Sequence, residues 1–104
     1  MSPQTQHVSE IVTFHLNDGV APEDYLAITR RSGDWAKSHP GFVSRHVSRG
    51  ADGSWTDITV WDSEENAKAS QASFMEQDFA GEMIGMIAKD SFSMIQRPIL
   101  WQQE

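Results

Sequence analysis

The chain has 104 residues, of which 38% are hydrophobic and 22% charged, with a formal charge of −7 and no cysteine. That length supports one domain over residues 1–104, with roughly a third of its extended-chain surface left exposed. The acidic balance, with only eight scattered Lys and Arg, excludes a nucleic-acid-binding surface, and the missing cysteine excludes disulfides, thiol catalysis and Cys-ligated metal. No apolar run reaches the roughly 18 residues of a membrane span, the polar start carries no signal-peptide pattern, and the composition fits a reducing cytoplasm.

Val8 to Leu16 alternates with period two, so Val8, Glu10, Val12, Phe14 and Leu16 form the face expected toward helices. Asn17-Asp18-Gly19 is a turn. Pro22, Glu23 and Asp24 then open a helix, because proline presets the first turn and acids favour its positive end. The helix runs to about Ser38, with Tyr25, Ile28, Ser32, Trp35 and Ala36 as its buried stripe. His39-Pro40-Gly41 ends it.

Phe42 to Arg49 is the second strand, with Phe42, Ser44, His46 and Ser48 opposing Val43, Arg45, Val47 and Arg49. Gly50-Ala51-Asp52-Gly53 is a hairpin loop. The third strand, Ser54 to Trp61, bears large apolar groups on both faces. Its Ile58 and Val60 are expected under the helices, and its Trp55-Asp57-Thr59-Trp61 face against another subunit's sheet.

Asp62 or Ser63 caps a second helix, Asp62 and Glu65 having the spacing of a capping box. Ala67, Ser70, Gln71 and Phe74 are its inner stripe. A further helical segment, roughly Phe79 to Lys89, turns Phe79, Met83, Met86 and Ile87 inward. Its Gly81 and Gly85 imply looseness or close packing. A last strand, Ser91 to Trp101, is broken by Pro98, which suits an edge.

The order is βαββαβ, the ferredoxin-like α+β arrangement, with a four-stranded antiparallel sheet covered by helices on one face. A homodimer packed through the bare sheet face would complete a dimeric α/β barrel. With this order, His-Pro-Gly-Phe at 39–42 and Val-Trp-Asp-Ser-Glu-Glu at 60–65, the chain resembles the antibiotic biosynthesis monooxygenase family of the dimeric α/β-barrel superfamily over roughly residues 8–100. The resemblance implies a dimer, often with a small-molecule cavity, in a group that includes cofactor-free quinone-forming monooxygenases and haem-degrading enzymes. The haem-degrading branch uses an Asn, a Trp and an axial His where this chain aligns Val12, Ser70 and Met83, so haem degradation is disfavoured.

Two candidates for polar chemistry remain. His15, on the expected barrel face, is either a base or phenol partner or a hydrogen-bonded interface histidine. Asp57 is a base, a His orienter or half of an intersubunit salt bridge, and Arg45 is a candidate partner for it. Phe14, Trp35, Phe74, Phe79, Met83 and Met86, with Trp61 at the rim, converge either as plain core or as a pocket for a flat apolar ligand. His7, His15, His39 and His46 lack metal-ligand spacing, and no metal or other cofactor is implied. The expectation is a cofactor-independent monooxygenase-like protein for a small aromatic or polyketide-like compound; the alternative is a non-catalytic dimeric module.

Overall fold

A computed structural model describes residues 6–103; the polar start at residues 1–5 lies outside them. The elements are β1 (Val8–Phe14), α1 (Pro22–Ser38), β2 (Phe42–Arg49), β3 (Trp55–Trp61), α2 (Glu64–Phe74), α3 (Ala80–Gly85) and β4 (Ser93–Pro98). The sheet is antiparallel in the order β2-β3-β1-β4, which places β1 and β3 at its centre. This is the ferredoxin-like α+β fold. No helix among the described residues is long and apolar enough to cross a membrane.

The register corrects one expectation about the third strand. Val8 pairs with Trp61, Glu10 with Thr59, Val12 with Asp57 and Phe14 with Trp55. Residues directly opposite in an antiparallel pair share a face, so the Trp face of β3 joins the helix-facing side of β1. Trp55, Asp57, Thr59 and Trp61 are accordingly buried beneath the helices of their own chain. Ile58 lies instead on the far face, opposite Ile11 and His46, with Ile95 completing the row across β4. The assignment of the Trp face to another subunit fails because an ion pair, described below, makes Asp57 compatible with burial.

One core cluster joins β1, α1, β3 and α3. Phe14 stacks on Trp55 with ring centroids 6.3 Å apart, and Tyr25 leans on both at 5.2 and 5.4 Å. Ile28, Phe79 and Met83 complete it. Fully burying one such large side chain contributes about 1.5–3 kcal/mol, so this cluster anchors α1 to the sheet.

Local signals set the boundaries. Ser63, not Asp62, caps α2: its hydroxyl accepts from the Asn66 amide at 3.1 Å, whereas Asp62 accepts from the Asn66 side chain at 2.8 Å. The last helical segment shortens to Ala80–Gly85, and the chain beyond it bonds back to the first strand's end through Asn17 N to Met86 O and Ala88 N to His15 O, both 2.8 Å. A bulge between Phe42 and Ser44 places Phe42 opposite Trp61 and Arg45 opposite Thr59, so both face the helices.

Gly41 occupies the left-handed region at φ +86°, and an added Cβ would lie 2.6 Å from both Asn66 Cβ and Asp62 Oδ1. Gly19 has a similar φ of +87° but open space around it. Gly41→Ala is therefore expected to cost about 2 kcal/mol or more, from strain plus collision, and Gly19→Ala about 1 kcal/mol from strain alone. Urea unfolding of the two variants checks the difference; equal losses would show that the contact at Gly41 relaxes freely.

Candidate functional site

A cavity of about 700 Å³ opens between the helices and the sheet, within the usual range for small-ligand sites. Its floor comes from alternate residues of the strands: Glu10 and Val12 of β1, Arg45 of β2, Thr59 and Trp61 of β3, and Met94 of β4. The period-two geometry of a strand aims these side chains at one layer. From above, α1 contributes Ser32, Trp35 and Ala36, and α2 contributes Ser70, Gln71 and Phe74. Met83, Ile84 and Gly85 of α3 close one side, and the following loop adds Ile87, Lys89 and Phe92. Met75, Ile84, Phe92 and Met94 are exposed where they line it, so the wall is apolar even toward solvent.

The aromatic wall is continuous. Trp35 packs edge-on against Phe74 and Phe79 at 5.9 and 6.0 Å, and the two phenylalanines meet at 5.7 Å. His39 bridges Trp35 and Trp61, with centroids 5.6 and 5.5 Å away. Its placement against two indole rings explains the His-Pro-Gly-Phe turn in terms of packing.

The floor also carries a buried polar network. Arg45 grips Asp57 with two bonds, Nε to Oδ1 at 3.0 Å and Nη2 to Oδ2 at 2.6 Å, and its Nη1 donates to Ser32 Oγ at 2.9 Å. The Ser32 hydroxyl donates in turn to the Thr29 carbonyl at 2.7 Å. Removing one member of such a pair typically costs about 3–5 kcal/mol, because the other is left as an uncompensated buried charge. By contrast, the Arg31–Asp78 pair is open to water and contributes at most about 1 kcal/mol.

Glu10 stands apart from that network. Gln71 Nε2 donates to Glu10 Oε2 at 2.9 Å, while Oε1 accepts no hydrogen bond among the described residues. Burial raises the Glu10 pKa above the ordinary carboxylate value, and the charge of Asp57 adds to this. The Gln71 bond, the nearby amide of Gln96 and the charge of Arg45 oppose the shift without reversing it. Gln96 sits opposite Glu10 on β4, and its Nε2 is buried with no aligned acceptor.

The structure brings Trp35, Trp61, Phe74 and Met83 of the expected pocket residues to the cavity. Phe14 belongs to the core cluster behind it, Phe79 buttresses the wall, and Met86 packs against the core. His15 does not reach the cavity. It is exposed beyond the end of β1, held through its backbone by Ser91 and Ala88, because the strand ends at Phe14 before the ring could join the sheet. Asp57 is buried, but both oxygens are engaged by Arg45 of the same chain, so its salt bridge is internal to the subunit. Glu10 was missed as a site residue, although its place between Val8 and Val12 on the helix-facing side marks it as a charge directed into the interior.

Among the described residues no group of three or more His, Asp or Glu is arranged to hold a metal ion. Val12, Ser70 and Met83, the positions where the haem-degrading branch would carry its functional groups, all line the cavity and offer no imidazole to iron.

A partly buried carboxyl with a raised pKa makes stability depend on pH. The unfolded chain releases this proton near the ordinary value of 4.5 and the folded chain releases it later, so the contribution to stability falls as pH rises through that interval and stays low above it. Glu10→Gln keeps an acceptor for Gln71 without the charge. It is expected to raise Tm over the native protein at pH 7 and to lose most of that advantage at pH 4. Calorimetry at both values checks this, and a lower Tm for the variant at pH 7 would contradict it.

No family model matches the sequence, and no curated protein does either. Similarity appears in three dimensions. A single-site variant of SnoaB, a cofactor-independent oxygenase from Streptomyces nogalater, matches with a TM-score of 0.78 and 18% identity, over 94% of this chain and 97% of that one. A candidate antibiotic biosynthesis monooxygenase from Nitrosomonas europaea matches at 0.75 and 14% over the whole of both chains. Rv0793 from Mycobacterium tuberculosis matches at 0.76 and 13%, over 94% and 99%. The chain thus has the ferredoxin-like fold that a cofactor-independent oxygenase and structures described as antibiotic biosynthesis monooxygenases share.

Proposed function

We propose that this protein is a cofactor-independent monooxygenase-like enzyme acting on a small, flat aromatic or polyketide-like compound. The observation that carries the reading is the cavity itself: it holds about 700 Å³, walled by Trp35, Phe74 and Met83 over a floor where Trp61 and Met94 flank the polar Glu10, Arg45 and Thr59. Fused aromatic rings present two broad apolar faces and a few edge oxygens, which is the complement of that surface. The likeness in fold to SnoaB supports the same reading.

Such a reaction converts a ring methylene to a carbonyl with dioxygen as the oxidant. One oxygen atom enters the ketone, the other leaves as water, and the four electrons lost by carbon reduce dioxygen. An electron-rich ring anion reacts with dioxygen directly, so the protein must bind, exclude water and stabilise that anion. Trp35 and Phe74 position the rings, while Met75, Ile84 and Phe92 shield the mouth.

A homodimer through the bare sheet face belongs to this reading. That face carries Ile11, Ile58 and Ile95 in one row across three strands, and Ile95 is 43% exposed. Aliphatic residues on an open face are best covered by a second copy of the same face. A cytoplasmic location fits the absence of cysteine.

Oxygen uptake with 1,8-dihydroxyanthrone is the test of the activity. The native protein is expected to accelerate uptake at least tenfold over buffer; tight binding with no acceleration would favour a non-catalytic binding module. Sedimentation equilibrium at micromolar concentration is expected to give twice the chain mass, and Ile58→Glu to give one chain mass. A native monomer would sink the dimer.

A further inference from the structure

We infer that Glu10 is the proton acceptor of the cavity, the group that takes the ligand's proton before dioxygen reacts. The inference deepens the proposed function and rests on the cavity being a ligand site. Among the side chains that line the cavity, Glu10 is the only carboxylate, and the other charged groups are Arg45 and Lys89.

Geometry separates Glu10 from a structural role. Arg45, the nearest buried cation, is committed to Asp57 by two bonds and to Ser32 by a third. Lys89 lies exposed at the mouth. Glu10 is therefore a carboxylate in a mostly apolar cavity without a salt-bridge partner among the described residues. If its task were only to receive the Gln71 hydrogen bond, a glutamine would do so without the penalty of a buried charge. The bond to Oε2 fixes the group from α2, and although the Gln96 amide lies near the carboxylate, no aligned donor engages Oε1 among the described residues.

Burial raises the Glu10 pKa and so makes it a stronger acceptor than an exposed glutamate. In a fused-ring ketone of the kind proposed above, the proton at hand is a C–H flanked by aromatic rings, whose electron pair delocalises onto the ring ketone when the proton leaves. The C–H bond breaks, the proton goes to Oε1, and the pair remains on the ligand as an enolate. Thr59, directly opposite Glu10 in the β1–β3 register and lining the same floor, supplies a hydroxyl donor near the developing anion.

The test uses 1,8-dihydroxyanthrone without oxygen, so that ionisation is read apart from oxygenation. Binding is followed by quenching of tryptophan fluorescence, since Trp35 and Trp61 line the cavity, and ionisation by the visible absorbance of the enolate. The native protein is expected to form enolate at pH 7 at least tenfold faster than Glu10→Gln, with affinities within about threefold of each other. Equal rates of ionisation in the two proteins, or no binding by the native one, overturns the inference. Glu10→Met, which removes the charge with an apolar side chain of similar length, carries the same comparison if the glutamine variant does not fold. Admitting oxygen then separates the two readings. Enolate without oxygen uptake leaves the base and removes the oxygenase, whereas undiminished uptake by Glu10→Gln leaves the oxygenase and removes the base.

Discussion

The bidentate bond between Arg45 and Asp57 is the constraint on which the interior depends. It ties β2 to β3 across one ladder step and, through Ser32, ties both to α1. Two charges are thereby made tolerable under the helical layer, where either alone would be expelled. The pair also commits the arginine of the floor to Asp57, so Arg45 acts on Glu10 through its charge and forms no salt bridge with it among the described residues.

The same pair shows how sequence and structure diverged. Element order, the central position of the first and third strands, and the site's place on the helical side were legible from hydrophobic period and turn chemistry. The orientation of β3 was misread because Asp57 looked too polar for an interior. Its partner Arg45 sits twelve positions earlier and was a candidate for it from sequence, but only the hairpin register, with Val47 opposite Asp57 and Arg45 opposite Thr59, puts the two on the helix-facing side. The register of β1 held the correct answer, because a helix-facing Val8 to Phe14 obliges the opposing tryptophans to face the same way.

Site residues split along a similar line. Trp35, Phe74 and Met83 were legible because helical spacing puts each on the inner stripe of its own helix. His15 was overvalued because alternation was extended to Leu16, whereas pairing of β1 stops at Phe14 and only an isolated bridge joins Leu16 to Ile87. Glu10 was undervalued for a different reason: it was placed on the helix-facing side with Val8 and Val12, but the strand pattern disclosed no cavity for it to line. What a strand pattern cannot disclose is which charged groups find partners, and that decides their chemistry.

The sheet ends in two unlike borders. On β2 the ladder is interrupted by the bulge, and on β4 it terminates at Pro98, which has no amide hydrogen to offer. Neither border presents a long, regular row of free donors and acceptors. Lateral growth from strand to strand is discouraged at both, so the proposed pairing of two copies through the sheet face would not run on into a fibre.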